Sequence, residues 1–324
     1  MIILNLCVDG NYQLYRSVFI LHKLKTLYGD LETLLLNEYN NLTNAYPFHV
    51  IYFASDSRTS WRKSYLLDYK GKRKKEENID WEFVFDTFDK FKEIIKKRHN
   101  CLLYQIDSFE GDDIIAHIVN ETNKEGGSNL IISNDGDLHQ LLKFSTTDNY
   151  INLLYNHKFQ DERLYVPRNY SIFLKHIEDT TEGDIFDLND DIDFINYFDK
   201  ITSKAKIVNI NNEESYFKKI VAGDIGDNIL SVVKITKNVK GIADKGASTV
   251  YAMYKQRFPN EIDFDSEDFV KNLTDILYIY RKNKEDNFKE KVTENIILSR
   301  KLTRLDGKYL PNGFQQILYD NIKI

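Results

Sequence analysis

Four short apolar runs in the first half of this 324-residue chain each hand over to carboxylates. Asp9 follows IILNLCV, Asp56 follows HVIYFAS, Glu110, Asp112 and Asp113 follow CLLYQIDSF, and Asp135 and Asp137 follow NLIISN. Near-continuous Val/Ile/Leu/Tyr/Phe runs of this length read as strands buried on both faces. Strands are expected over 2–8, 48–54, 101–106, 129–133 and 149–154. Helical patterns lie between them, over 12–44 with a break near Gly29 and Asp30, and over 80–98, 110–122 and 137–142. The clearest is 80–98, where Trp81, Val84, Phe85, Phe88, Phe91 and Ile95 recur at helical spacing behind Asp80 as a cap. Such alternation makes this an α/β chain with a mostly parallel sheet, right-handed crossovers and flanking helices. Every acidic cluster then falls at a carboxyl end of a strand, the edge where open α/β sheets bind ligands.

Composition bounds the setting. Gly and Pro are sparse (14 and 4) and 42% of residues are hydrophobic, so long helices are expected and disorder is not. The net charge of −6 argues mildly against a polyanionic partner, though it says nothing of local patches. Cys7 and Cys101 both fall inside strand runs and read as core thiols in a reducing compartment. No Cys/His spacing resembles a zinc site, and no apolar run reaches about 18 residues. A soluble, cytoplasmic protein without membrane association is expected.

Residues 1–213 read as the α/β domain, including a basic segment at about 57–80 and an acidic stretch at about 157–213. Residues 214–324 read as a helical domain. The acidic stretch, with EDTTEGDIFDLNDDIDF, lacks a period and reads as a surface insertion. Asp187, Asn189, Asp191 and Asp193 start like a calcium loop, but no Gly stands at the sixth position and Phe198 stands where Glu is needed, so an EF-hand is rejected.

Many carboxylates in one place disfavour one another's ionisation unless cations neutralise them. Mg²⁺ and Mn²⁺ prefer such oxygen ligands, and paired ions suit phosphodiester hydrolysis. Glu110 and Asp113 are three apart, hence on one helix face, and Gly136 lets Asp135 and Asp137 turn together. Any single one of these acids reads equally well as a helix N-cap. Four strand ends together are harder to assign to capping.

Immediately after Asp56 comes a run of cations: Arg58, Arg62, Lys63, Lys70, Lys72, Arg73, Lys74 and Lys75, eight against one anion, Asp68. Phosphate contacts of that kind are strongly salt-dependent, and interleaved Trp61, Tyr65 and Tyr69 are candidates for stacking on bases. Such a run is more often only a solvated face. Further on, Asp224 and Asp227 are three apart in GDIGDN, and Gly241 to Ala247 reads as a hairpin between two helices, whose amides beside a helix N-terminus suit phosphate binding, though such a Gly pattern alone is more often an ordinary helix-capping loop.

Taken as an ordered set, VDG with Asp9, FASDSRTSWRKSYLLDYKGKRK, DSFEGDD, ISNDGDLHQLL, and AGDIGDN followed by KGIADKGA resemble the 5′-nuclease superfamily of flap endonucleases and 5′→3′ exonucleases, in particular the bacteriophage T4 ribonuclease H type. The likeness covers most of 1–155 and 215–255. It implies a PIN-like α/β nuclease domain and a helical helix-turn-helix region gripping duplex DNA. It implies two Mg²⁺ or Mn²⁺ ions, one held by Asp9, Asp56, Asp112 and Asp135, the second nearer Asp137, Asp224 and Asp227, with Glu110 and Asp113 acting directly or through water. Lys70 and Arg73 match the arch cations that orient the scissile phosphate, with Tyr69 before them. Arg58, Arg62, Lys63 and Lys72 join them as DNA contacts. Gly241, Lys245 and Gly246 match the hairpin that holds the duplex backbone and takes a monovalent K⁺. The chain departs from the family in writing Gly241-Ile242-Ala243 where Gly-Ile-Gly is usual, and in the length of 157–213.

The activity so implied is structure-specific 5′ nuclease action on DNA with a 5′ end, flap or fork and on RNA–DNA hybrids, with RNA primer removal in phage-like replication, by a monomer. A sliding clamp or a single-strand-binding protein are the protein partners to consider. Two other readings compete. A PIN-type ribonuclease on single-stranded RNA would lack the basic segment and the late motif, and a non-catalytic junction binder would have lost ligand carboxylates.

Overall fold

Strand β1 (Leu4–Asp9) lies inside the sheet, with every residue but Asp9 buried, as a strand covered on both faces must be. In the computed structural model it pairs in parallel with β2 (Ile51–Ala54) on one side and β4 (Ser128–Ile132) on the other. Outside these, β3 (Cys101–Tyr104) pairs with β2 and β6 (Tyr150–Asn156) with β4, again in parallel. β5 (Phe144–Ser145) is a two-residue antiparallel partner of β6. With β7 (Arg163–Pro167) and β8 (Lys206–Ile210) beyond β6, the sheet order is β3-β2-β1-β4-β6-β7-β8. The chain runs outward from β1 through β2 to β3 and then crosses back to β4, so the order reverses between β1 and β4. That crevice is the switch point at which open α/β sheets bind ligands. The structure describes residues 4–73, 76–145, 147, 150–157, 161–173, 175, 196–236, 239–281, 287–322 and 324. Lys74, Lys75 and the rejected calcium-loop residues at 187–193 lie outside them.

Helices α1 (Gly10–Leu24), α2 (Leu27–Thr43) and α3 (Trp81–Ile95) share one hydrophobic core with one face of the sheet, through Leu14, Leu35 and Phe91 against Leu6, Val8 and Phe53. Asp80 caps α3 by accepting the Phe83 N–H at 3.1 Å. The opposite face is marked by Asn129, whose Nδ2 donates to Thr122 Oγ1 of α4 (Gly111–Lys124) at 2.9 Å. The helix break expected near Gly29 falls instead at Lys25, which adopts φ +62° and closes α1 by donating its N–H to His22 at 3.1 Å. Residues 136–141 are a 3-10 turn rather than an α-helix.

The surface-insertion reading of 157–213 is corrected at both of its ends. β7 (Arg163–Pro167) pairs antiparallel with β6, and β8 (Lys206–Ile210) pairs parallel with β7. Leu164 and Val166 are fully buried, and the Tyr197 ring lies 5.1 Å from that of Tyr46. Two five-residue strands on either side of an aperiodic acidic stretch are too short to announce themselves by pattern.

The chain divides into two compact units, one of Met1–Ser60, Lys75–Ile210 and Gly313–Ile324, the other of Trp61–Lys74 and Asn211–Asn312. The division at Ile210 lies near the expected one, but the heart of the basic segment groups with the second unit. In that unit α5 (Asn212–Ala222), α6 (Asp244–Arg257), α7 (Glu267–Arg281) and α8 (Phe288–Thr303) bury Phe217, Val250, Phe269, Leu273 and Ile296 in one core. Helix α9 (Phe314–Asn321) belongs to the first unit. Among the described residues no helix is long and apolar enough to cross a membrane.

Candidate metal centre

The end of β1 sets the geometry. A Cβ on Gly10 would lie 2.4 Å from the Phe53 ring and 2.9 Å from the Ala54 carbonyl oxygen, so only glycine lets the chain turn here into α1 against β2. Asp9 is the N-cap of α1: its Oδ1 accepts the Tyr12 N–H at 2.9 Å, and its Oδ2 accepts the Ser133 hydroxyl at 2.7 Å. The same hydroxyl oxygen accepts the Asp135 N–H at 3.0 Å. Asn11 plays the matching part toward β2, its Oδ1 accepting the Asp56 N–H at 2.9 Å and the Ser55 hydroxyl at 3.2 Å. Asp56 Oδ1 in turn accepts the Gly111 N–H at 2.7 Å, at the start of α4. The ends of β1, β2 and β4 and the beginning of α4 are thus tied by side chains. Sequence reasoning missed Ser133 and Asn11; the visible signal was a short polar residue within two positions of each acidic cluster.

Capping and convergence are not alternatives here. Asp135 caps the 3-10 turn by accepting the Asp137 N–H at 2.8 Å. Glu110 is the N-cap residue of α4, and its N–H donates to Asp113 Oδ2 at 3.1 Å. Yet the carboxylates also converge. Glu110, Asp112 and Asp113 offer oxygens within 4.8 Å of one another, as do Asp112, Asp135 and Asp137, so Asp112 belongs to both groups. Asp9 is pushed up to about 7, first by burial and then by the charges of Asp56 and Asp135, against the lowering effect of its Tyr12 and Ser133 donors. A half-buried carboxyl beside two others is chemically suited to a cation. All these donors are oxygens, which suits a hard divalent ion.

In the second unit Asp224 and Asp227 stand in a tight hairpin closed by Asp224 N–H to the Ile229 carbonyl at 2.9 Å and Ile229 N–H to the Asp224 carbonyl at 2.7 Å. It enters through Gly223, at φ +73°, where a Cβ would lie 2.5 Å from the Ile229 carbonyl oxygen. Burial alone would raise the Asp224 carboxyl, but the Lys219 ammonium at 2.5 Å and the Asp227 and Gly226 amides hold it below the usual range. Asp227 Oδ2 accepts the Tyr69 hydroxyl at 2.9 Å, and its Oδ1 is paired with Arg73. Arg73 also donates to the Gly226 carbonyl at 3.2 Å, and Lys70, at φ +57°, donates its N–H to the Asp227 carbonyl at 3.0 Å. The basic segment is therefore stitched to the hairpin.

Three expectations fail in this segment. Arg62 is 1% exposed, with Nε donating to the Leu302 carbonyl at 2.8 Å and its guanidinium 4.6 Å over the Trp61 ring. It is a core residue of the helical unit and is not placed to contact DNA. Trp61 and Tyr69 are likewise buried, Tyr69 packing with Ile229 and Leu302, so neither ring is available to stack on a base. Arg58, Lys63, Lys72 and Arg73 are exposed and Lys70 is half-buried. Lys245 is exposed in the first turn of α6, between Asp244 and Gly246. Gly241 precedes Ile242, whose N–H donates to Ser231 Oγ at 2.9 Å, an oxygen that itself donates to the Val221 carbonyl.

Residues 5–168 match the family model described as the 5′-3′ exonuclease N-terminal, resolvase-like domain. The chain is 38% identical over 87 residues to the ribonuclease H of Enterobacteria phage T4, a match covering 26% of this chain and 28% of that protein. Against DNA polymerase I of Geobacillus stearothermophilus it is 29% identical over 140 residues, 41% of this chain and 15% of that protein. The chain thus spans well under a third of each of these two relatives. With the 5′-3′ exonuclease of Mycoplasmopsis pulmonis it shares 23% identity over 97% of this chain and 94% of that one. The fold is similar to that of the phage T5 D15 flap endonuclease, solved in a pseudo-enzyme-product complex with DNA and metal ions, with a TM-score of 0.61, 18% identity and coverage of 98% of this chain and 97% of that one. With a resolvase-like domain matched over half its length, the chain belongs to the 5′-3′ exonuclease family.

Proposed function

We propose that this protein is a divalent-metal-dependent, structure-specific 5′ nuclease. The observation that carries the reading is Asp112, shared between two groups of carboxylates at the switch point of the sheet in a chain of the 5′-3′ exonuclease family. Glu110, Asp112, Asp113, Asp135 and Asp137, with Asp9 and Asp56 beside them, would hold Mg²⁺ or Mn²⁺. Bound ions of this kind supply Lewis-acid polarisation of a scissile phosphate and activation of water. Asp224 and Asp227 stay candidate ligands on the family resemblance alone.

The substrates we propose are DNA with a 5′ end, flap or fork and RNA–DNA hybrids, with primer removal in phage-like replication as the biological use. Lys70 and Arg73 would neutralise phosphate charge. Arg58, Lys63 and Lys72 would hold the backbone, and Gly241, Lys245 and Gly246 would do so at the start of α6, where free amides favour anions.

The test is end-labelled flap DNA, RNA–DNA hybrid and single-stranded RNA, each with Mg²⁺ or with EDTA, for the parent protein and Asp135→Asn. Cleavage of flap and hybrid that needs Mg²⁺, with the variant inactive but still binding DNA, is the expected result. Undiminished cleavage by Asp135→Asn, or cutting confined to single-stranded RNA, would overturn the reading.

A further inference from the structure

Helix α9 lies along α4. The Phe314 ring is 5.4 Å from that of Phe109, and the Tyr319 ring meets His117 edge-on at 4.8 Å. Tyr319 also donates its hydroxyl to Glu121 Oε1 at 3.2 Å, under the Lys124 ammonium 6.0 Å away. His117, Glu121 and Lys124 recur at helical spacing, so α9 covers one continuous stripe of α4. The inner face of α4 is already fixed by Ile114, Ile115, Ile118 and Val119. An eight-residue helix has little stability alone, and α9 owes its place to this stripe and to buried Leu318 and Ile322.

The contact matters because of what Phe109 precedes. It is fully buried, its N–H donates to the Ile106 carbonyl at 3.0 Å, and its carbonyl accepts the Ser57 N–H at 3.0 Å. Glu110, Asp112 and Asp113 follow directly. The ring contact with Phe314 therefore bears on where α4 begins, and the Tyr319 contacts bear on its rotation about its own axis. A turn of a few degrees there would swing the Asp112 oxygens, which serve both carboxylate groups.

We propose that α9 is a positioning clamp for the metal-ligand end of α4, with Phe314 and Tyr319 as its two grips. This rests on reading Glu110, Asp112 and Asp113 as cation ligands. Supporting residues around metal ligands are worth on the order of tenfold or more in affinity.

The experiment is Mn²⁺ titration by calorimetry of the parent protein, Asp112→Asn, Phe314→Ala, Phe314→Leu and Tyr319→Phe, with melting curves and with kcat and KM on a flap substrate. Phe314→Ala should bind Mn²⁺ on the order of tenfold more weakly and lose kcat with KM unchanged. Phe314→Leu should recover most of both. Tyr319→Phe, at a half-exposed position, should fold normally and show a smaller loss in the same direction. Lower melting with parental Mn²⁺ affinity would show that α9 merely stabilises the fold, and overturn the proposal. If Phe314→Ala does not fold, parental affinity in Tyr319→Phe overturns it equally. A parent that binds no Mn²⁺, or binds it regardless of Asp112→Asn, refutes the metal reading instead.

Discussion

Ser133 Oγ lies 2.7 Å from Asp9 Oδ2, joining the ends of β4 and β1 across the reversal of the sheet. Because the same oxygen accepts the Asp135 amide, one hydroxyl sets the separation of two candidate ligands. Ser133→Ala leaves a half-buried carboxylate oxygen and an amide without this partner, a cost of about 1–3 kcal/mol. It should also weaken Mn²⁺ binding on the order of tenfold. Denaturant unfolding without metal, paired with a Mn²⁺ titration, measures both; parental values in each would contradict the assignment.

Asp9 links stability to pH. Its carboxyl stands at about 7, raised from 3.8. Between those values the folded chain keeps a proton that the unfolded chain has released. Its contribution is therefore full below the unfolded value, declines as pH rises, and is gone above about 7. At about 1.4 kcal/mol per pH unit the ceiling is about 4 kcal/mol. Asp9→Asn abolishes the titration while keeping a good N-cap. The metal-free variant should melt above the parent at pH 8, with the gap narrowing toward pH 5, and divalent ions should stabilise the parent more. A gap independent of pH would refute this.

Arg58, Lys63 and Lys72 of the basic segment are exposed, whereas Arg62 is buried. Replacing exposed Arg58, Lys63 and Lys72 by Ala should flatten the dependence of log K on log salt by up to about 0.9 for each phosphate no longer neutralised, with the melting temperature unchanged. Arg62→Ala should leave the salt slope alone and cost about 2–4 kcal/mol, since it empties a core position and leaves the Leu302 carbonyl without its donor. Salt titrations of flap binding and thermal melts would expose a reversed pattern.

Leu164→Ala tests the sheet edge. Leu164 is fully buried in β7, so truncation should cost about 2–5 kcal/mol. A change within experimental error in urea unfolding would return this region to the status of a surface decoration.

The parallel half of the fold was legible because strands covered on both faces must be continuously apolar, and IILNLCV or NLIISN have few other uses. The first-unit acids stand near the same strands: Asp9 ends β1, Asp56 and Asp135 follow β2 and β4 closely, and Glu110, Asp112 and Asp113 open the helix after β3. What escaped had a weaker local imprint. RLYVP and KIVNI gain their partners from β6 and from each other, far apart in sequence. Arg62 and Tyr69 look like nucleic-acid contacts because charge and aromaticity are visible in a sequence, whereas the Leu302 carbonyl and the Asp227 carboxylate that claim them are not. Ser133 and Asn11 are ordinary polar letters until the strand ends they join are brought together.

Asp9 and Asp135 take their aim from the amides of Tyr12 and Asp137, and Asp56 from that of Gly111. Donors supplied by the backbone orient these oxygens. On the proposed reading, a cation would meet oxygens already aimed by the folded backbone, and its binding would discharge crowded negative charge without reshaping the polypeptide.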